Sequence, residues 1–142
     1  MDADYKKIII VDDNETYRTG LREYINRHGQ FRVVAEAECG WKGIEAIKQV
    51  PADLVILDLS LPRFSGFEVL KKIREISEIK VLVLSIYESK EMIEEMFDLG
   101  AQGYCVKDVG SKELMKAILE TIEGKAYVCH KADMEMIFPG KN

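Results

Sequence analysis

Residues 8–13 read Ile-Ile-Ile-Val-Asp-Asp, four apolar residues followed directly by two aspartates. A run of Ile and Val without alternating polar positions is typical of a strand that is buried on both faces of a parallel sheet. Four similar runs follow, at residues 33–35, 54–57, 81–84 and 104–106. Between the runs lie segments of helical period, such as the stripe Tyr17, Leu21, Tyr24 and Ile25. The sequence therefore predicts an α/β fold of (βα)5 pattern, a five-stranded parallel sheet with helices on both faces.

Polar side chains follow four of the five predicted strands. In the order of the first, third, fourth and fifth strands, these residues are Asp12 with Asp13, Asp58, Ser85 and Lys107. Ligands of open parallel sheets bind beyond the carboxyl ends of the strands, so we expect these side chains to converge. Three carboxylates, a hydroxyl and an ammonium group suit a magnesium ion together with a phosphoryl group.

The three carboxylates are the predicted metal ligands. Like charges at short range repel each other and raise carboxyl pKa values unless a cation lies between them. Mg2+ prefers oxygen ligands and commonly uses one or two carboxylates, waters and phosphate oxygens. We expect Asp13 and Asp58 to bind the ion directly, Asp12 to act through water, and the backbone carbonyl of Ser60 to complete the protein ligands.

Asp58 is the predicted nucleophile. We expect Lys107 to pair with Asp58 when the site is empty and with a phosphoryl oxygen when the site is filled. Ser85 can donate a hydrogen bond to another phosphoryl oxygen. Because carboxylates form aspartyl phosphates in other proteins, positioning and charge neutralisation around Asp58 would carry most of the catalysis. The resulting acyl phosphate is labile to water, so the modification is expected to be reversible.

The overall charge of the chain is acidic. A net charge of −5 and a pI near 5.2 disfavour nucleic-acid binding by this chain alone, because phosphate backbones attract basic surfaces. The sequence contains no apolar run of transmembrane length, and the N-terminal Met-Asp-Ala-Asp-Tyr is acidic where a secretory signal is basic. We therefore expect a cytoplasmic protein that does not contact a membrane.

Length and periodicity predict a single domain. The chain has 142 residues, and the helical pattern fades after Gly124. We therefore predict one domain over residues 1–125, followed by a tail or the start of a linker over 126–142.

The cysteines do not form a recognisable framework. The chain has three of them, without a CxxC pair, namely Cys39, Cys105 and Cys129. This spacing predicts neither a zinc site nor a disulfide framework, and we expect reduced thiols.

Four short motifs together resemble one known family. They are Val11-Asp12-Asp13, Leu57-Asp58-Leu59-Ser60-Leu61-Pro62 with Gly66, Val83-Leu84-Ser85, and Gly103-Tyr104-Cys105-Val106-Lys107. All four, in this order on four strand ends, are similar to the receiver domain of two-component response regulators. The resemblance covers about residues 6–124. It implies a flavodoxin-like receiver fold with the strand order 2-1-3-4-5.

The resemblance also implies roles for individual residues. Asp58 corresponds to the phosphoacceptor, and Asp12 with Asp13 corresponds to the acidic pair that binds magnesium. Ser85 matches the switch hydroxyl, Tyr104 the switch aromatic and Lys107 the lysine of the family pattern. By the same resemblance, the phosphoryl donor would be a phosphohistidine on a sensor histidine kinase.

Residues 100–104, Gly-Ala-Gln-Gly-Tyr, and the pair Lys107-Asp108 further resemble one subgroup of receivers. Receivers of this subgroup precede a helix-turn-helix DNA-binding module. Phosphorylation would shift the surface of the fourth helix, fifth strand and fifth helix and thereby control an output, such as transcription. Phosphorylation could also lead to a homodimer. DNA would be bound only through an effector domain that is absent from this chain. The chain itself is expected to be either an excised receiver or a stand-alone domain.

Two other function classes fit a sheet of this kind. A phosphohydrolase that turns over an aspartyl phosphate usually carries a second aspartate two residues after the nucleophile, where this chain has Ser60. We therefore expect no enzyme activity beyond the chain's own phosphorylation and dephosphorylation. A flavin-binding electron carrier needs a hydroxyl-rich phosphate loop after the first strand, whereas residues 12–15, Asp-Asp-Asn-Glu, would repel phosphate.

Overall fold

The computed structural model describes residues 4–87 and 89–129, which form one parallel sheet covered by helices. The strands in chain order are β1 (Lys6–Val11), β2 (Phe31–Ala37), β3 (Leu54–Asp58), β4 (Lys80–Ser85), β5 (Gly103–Val106) and β6 (Tyr127–Cys129). The helices are α1 (Glu15–Asn26), α2 (Gly40–Gln49), α3 (Gly66–Ile76), α4 (Lys90–Asp98) and α5 (Ser111–Ile122). The strand order is β2-β1-β3-β4-β5-β6, so the predicted fold and the order of its first five strands are confirmed.

Both faces of the central strands are buried, as their uninterrupted apolar runs predict. In β1, Ile9 and Val11 pack in the core beneath α2, α3 and α4, whereas Ile8 and Ile10 pack in the core beneath α1 and α5. All four side chains are completely buried. Because successive side chains of a strand point to opposite faces, a strand between two helical layers needs apolar residues at every position.

Polar caps begin three of the helices. Asn14 accepts a hydrogen bond from the backbone of Tyr17 at the start of α1, and Ser89 does the same for Met92 in α4. At α3 the Ser65 side chain and the Glu68 side chain cap each other's backbone, which satisfies donors that a helix start leaves unpaired. The caps fix where each helix begins relative to the strand that precedes it.

The sheet is wider than predicted, since a sixth strand lies beside β5. Tyr127–Cys129 pairs in parallel with Gly103–Cys105, within the segment that was predicted to be a tail or linker. Three residues are too few to show periodicity, and the strand forms because the edge of β5 offers unpaired backbone groups. The ordered sheet therefore extends past residue 125, and the remaining part of the predicted tail, 130–142, lies outside the described residues.

The sixth strand also corrects the expectation of reduced thiols. Cys105 and Cys129 face each other across β5 and β6 and are joined in a disulfide, with their Cα atoms 4.7 Å apart. The sequence hid this pair because its members are 24 residues apart and meet only through strand pairing. Cys39 is a free, half-buried thiol.

Among residues 4–87 and 89–129, no helix has the combination of length and apolar content that a bilayer crossing requires.

Helix α3 begins in close contact with the loop after β3, and a substitution of Gly66 tests this contact. A Cβ atom at Gly66 would lie 2.6 Å from Leu59 Cα and 2.8 Å from the Asp58 carbonyl oxygen, both backbone atoms. We expect Gly66→Ala to lower the free energy of unfolding by ~1–3 kcal/mol, because backbone must move to admit the methyl group. Urea denaturation measures this change.

Gly20→Ala is the matched control within α1. A Cβ atom there meets nothing within 4 Å, so we expect a gain of up to ~1 kcal/mol from better helix propensity. Equal stabilities of the two alanine variants would contradict the packing described for Gly66.

Candidate functional site

Three aspartates meet at the carboxyl edge of the sheet. Asp12 directly follows β1 and Asp58 ends β3, and these two strands are paired neighbours. Together with Asp13, they offer carboxylate oxygens that all lie within 4.8 Å of one another. Asp12 and Asp58 are buried, with 1% and 3% of their surface exposed, whereas Asp13 is exposed. The chain leaves β1 towards β2 on one side and returns to β3 on the other, which is the point where such sheets bind ligands.

Lys107 brings a positive charge to these carboxylates. Its Nζ lies 2.9 Å from Asp12 Oδ2 and 3.4 Å from Asp58 Oδ2. Asp12 Oδ2 has no hydrogen-bond partner of good geometry, so its contact with Lys107 is an ion pair rather than a directed hydrogen bond. The predicted contact with Asp58 is present, but the ammonium lies closer to Asp12. Lys107 is held at this edge by its backbone N–H, which donates to the Ser85 carbonyl at 2.8 Å.

Backbone donors orient two of the carboxylates. Asn14 N–H donates to Asp12 Oδ1 at 2.8 Å, and Ser60 N–H donates to Asp58 Oδ1 at 3.0 Å. In each case the donor lies two residues after the aspartate, so the turn that leaves the strand fixes the side chain. Ser60 thus contacts Asp58 through its N–H, and the role of its carbonyl as a metal ligand stays a prediction.

Arg18 is a residue of the site that the sequence did not predict. Its Nη1 donates to the Asp12 carbonyl at 2.6 Å, and its Nε donates to Glu36 Oε1 on β2 at 3.0 Å. The guanidinium therefore ties α1 and β2 to the loop that carries the acidic pair. Its position five residues after Asp13 on the first helix was the available signal, but the partner on β2 appears only in the folded chain.

The electrostatics favour a bound cation. Burial raises the pKa of Asp58, and the neighbouring Asp12 charge raises it further, whereas the Ser60 N–H and Lys107 act in the opposite direction. One lysine does not balance three carboxylates. Hard, closely spaced oxygen ligands suit Mg2+, so the residues at this edge fit the predicted ion.

Ser85 and Tyr104 are linked through the backbone of Tyr87. The Ser85 hydroxyl accepts a hydrogen bond from Tyr87 N–H at 3.0 Å, and the Tyr104 hydroxyl donates to the Tyr87 carbonyl at 2.8 Å. Ser85 and Tyr104 are both completely buried. The Tyr104 ring therefore lies inside the core, while its hydroxyl is bonded to the segment that follows β4.

Tyr17 is the second residue that the sequence did not assign to the site. The helical period predicts it as part of the buried face of α1, but its ring lies over Lys107, with Nζ 4.5 Å from the ring centroid. Burial, followed by the charges of Asp12 and Asp58, raises the pKa of Tyr17 to about 12, so the phenol stays neutral near pH 7. The signal that could have found it is the Asn14 cap, which fixes Tyr17 one turn after the acidic pair.

Comparisons with known proteins identify the family. The family model described as "Response regulator receiver domain" matches residues 8–119. The nitrate/nitrite response regulator protein NarL of Escherichia coli (strain K12) is 34% identical over 119 residues, which is 83% of this chain and 55% of that protein. The transcriptional regulatory protein DegU of Brevibacillus brevis is 29% identical over 132 residues, 92% of this chain and 56% of that protein.

A solved structure agrees with these matches. The crystal structure of a LuxR-family two-component response regulator from Aurantimonas sp. SI85-9A1 has a TM-score of 0.83 and 29% identity. The similarity covers 87% of this chain and 89% of that one. The chain spans about half the length of the curated relatives it matches.

The match covers the strand ends where the predicted resemblance was found, and the relatives are of the NarL, DegU and LuxR types, the subgroup that the sequence predicted. The chain therefore belongs to the receiver domain family of two-component response regulators.

Proposed function

We propose that this chain is a phosphorylation-dependent signalling switch that accepts a phosphoryl group on Asp58 from a sensor histidine kinase. One observation carries the proposal. The buried Asp58 carboxylate contacts Lys107 and lies beside Asp12 and Asp13 at the ligand-binding edge of the sheet. A carboxylate between a cation and an acidic pair suited to Mg2+ can act as a nucleophile, because the charge of its product is offset in advance.

The reaction is a transfer between two side chains. An Asp58 oxygen attacks phosphorus of a phosphohistidine, the new O–P bond forms, and the N–P bond breaks. The electron pair of that bond returns to the imidazole nitrogen, which takes up a proton. Lys107, which now contacts Asp12 and Asp58, can turn to a phosphoryl oxygen, and the Ser85 hydroxyl can donate to another.

The acidic cluster would hold the metal. Asp12, Asp13 and Asp58, with the Ser60 carbonyl, would hold Mg2+, which supplies charge neutralisation at the phosphoryl oxygens when it is bound. The chain itself is not proposed as an enzyme for other substrates. Ser60 occupies the position of the second aspartate that phosphohydrolases use as a general acid, which leaves water attack on the acyl phosphate as the slow reset.

The output is proposed to pass through a switch surface formed by α4, β5 and α5. A phosphoryl group on Asp58 draws the Ser85 hydroxyl away from Tyr87, and the same Tyr87 backbone accepts the Tyr104 hydroxyl. Phosphorylation would thus shift the loop between β4 and α4 from one populated conformation to another. The hydrogen bonds of Ser85 and Tyr104 to the Tyr87 backbone would transmit this shift.

The partners follow from the same proposal. The chain would act in the cytoplasm, with a sensor histidine kinase as the donor. Transcription would be the controlled output, as the name of the relative DegU suggests. DNA would be bound through an effector domain outside this chain, and phosphorylation would favour a homodimer.

Phosphorylation of Asp58 can be measured by intact mass. Treatment with acetyl phosphate and Mg2+ should add one phosphoryl group to the wild-type chain. Asp58→Asn should gain none, because the amide is not a nucleophile towards phosphorus. Asp98→Asn, which changes an exposed aspartate at the end of α4, should behave as wild type. Equal labelling of the wild type and Asp58→Asn would refute the proposal.

Asp58 should also limit the stability of the metal-free fold. Because burial raises its pKa in the folded protein, the folded state holds this proton more tightly than the unfolded chain. The free energy of unfolding therefore falls as pH rises from the ordinary carboxyl pKa through the raised one. At pH 7 without metal, we expect Asp58→Asn to be more stable than the wild type by ~0.5–2 kcal/mol.

Urea denaturation at several pH values checks this expectation. The gain should shrink towards acid pH, where both states of the wild-type carboxyl are protonated, and on addition of Mg2+. A gain that is independent of pH and Mg2+ would show that it does not arise from the Asp58 charge.

The switch surface can be tested with beryllofluoride, a phosphoryl mimic, followed by NMR. We expect amide shifts between residues 85 and 110, while α2, at the far side of the sheet, serves as the internal reference. Tyr104→Phe should reduce the shifts near α4, because it removes the hydrogen bond to Tyr87. Tyr24→Phe, which removes a phenol bonded to Ser111, is the matched control. Unchanged amides throughout 85–110 would exclude this switch.

A further inference from the structure

Lys107 is held between two kinds of partner. Asp12 and Asp58 contact its ammonium at 2.9 and 3.4 Å, while the ring of Tyr17 lies over it at 4.5 Å from the centroid. Only 16% of the Lys107 side chain is exposed. A lysine side chain has several rotatable bonds, so a ring packed over the ammonium restricts where the ammonium can go.

The position of the Tyr17 ring is fixed by the start of α1. Asn14 Oδ1 accepts the Tyr17 N–H at 2.9 Å, and one residue further Arg18 bonds the Asp12 carbonyl and Glu36. The helix therefore begins directly after the acidic pair, and the Arg18 side chain and the Asn14 backbone N–H anchor it to Asp12. The ring is delivered to Lys107 by the same turn that orients Asp12.

Tyr17 and Lys107 also line two neighbouring surface clefts. One cleft, of about 370 Å3, runs between α1 and α5 past Gly20 and Tyr24. The other, of about 390 Å3, is lined by Ile86, Val106 and Asp108 as well as the shared pair. The ring thus covers the ammonium where the two clefts meet.

We propose that Tyr17 is a positioning residue for phosphoryl transfer, whose ring holds the Lys107 ammonium against Asp12 and Asp58. The inference rests on the proposed function and deepens it, since it assigns a residue outside the acidic cluster to the control of Lys107. Preorganisation lowers the barrier because the ammonium starts beside the carboxylate that reacts and needs only a short turn to reach a phosphoryl oxygen. The ring face, and not the hydroxyl, supplies the contact.

Three variants of the full chain separate this role from simple packing. Tyr17→Phe keeps the ring face and should phosphorylate with acetyl phosphate and Mg2+ at the wild-type rate. Tyr17→Leu keeps apolar bulk but loses the ring, and its rate should fall on the order of threefold to tenfold, the range of a partly desolvated cation–π contact. Tyr24→Leu, two helical turns further along α1, removes a ring that makes an edge-to-face contact with His28 and should leave the rate unchanged.

NMR of the Lys107 side chain gives a readout that packing alone would not move. The protons on Cε lie near the Tyr17 ring face and should be shifted upfield in the wild type and in Tyr17→Phe. These shifts check the ring contact itself and should stay in Tyr24→Leu. The NMR order parameter of the Lys107 Cε group checks the positioning: it should fall in Tyr17→Leu and keep its wild-type value in Tyr17→Phe and Tyr24→Leu. Unfolding free energies of all variants are measured alongside, to show whether a rate follows global stability instead.

The outcomes are distinct. A slow Tyr17→Leu variant with a lowered Lys107 order parameter, beside a normal Tyr17→Phe, supports the role. A Tyr17→Leu variant that phosphorylates like the wild type, or whose rate loss tracks its stability with an unchanged Lys107 order parameter, overturns it while the proposed function stands. If the wild type itself gains no phosphoryl group, the proposed function fails and this role falls with it.

Discussion

The site depends on the ion pairs that one lysine makes with two buried carboxylates. Asp12 and Asp58 are almost fully shielded from solvent, and burial of a charge is costly unless a partner compensates it. Lys107 supplies part of that compensation from the end of β5, a strand that β3 and β4 separate from β1 in the sheet. The remaining negative charge is what makes the edge receptive to a divalent ion and a phosphoryl group.

The fold itself brings these charges together at one edge of the sheet. Parallel strands all end at the same edge, so each strand end delivers one side chain to a common place. Backbone donors at Asn14 and Ser60 then fix the carboxylates, and the Arg18 guanidinium fixes the Asp12 carbonyl. Since these contacts come from the turn after β1, from α1 and from the turn after β3, several elements at this edge support the geometry.

Tyr87 gives the site a physical connection to the rest of the molecule. Its N–H donates to Ser85, and its carbonyl accepts from Tyr104, whose ring lies in the core between β4 and β6 neighbours. A change in the hydrogen bonding of Ser85 therefore acts on the same peptide backbone that holds the Tyr104 hydroxyl. The chain needs no long pathway to link the acidic edge with α4.

The sequence alone determined the first five strands, the burial of their faces and the identity of the residues at their carboxyl ends. This was possible because residues buried on both faces must be apolar throughout, and because one rule places all the strand ends at one edge. Asp12, Asp58 and Lys107 could therefore be assigned to a common site before their distances were known.

Tertiary structure decided the contacts that join distant parts of the chain. The third residue of β6 meets Cys105 only through edge pairing, Arg18 finds Glu36 only across the α1–β2 packing, and Lys107 lies nearer to Asp12 than to Asp58. The helical period predicts Tyr17 as a core residue, yet its ring covers the Lys107 ammonium. Periodicity reports which face of an element is covered, but the partner that covers it depends on packing between elements far apart in sequence.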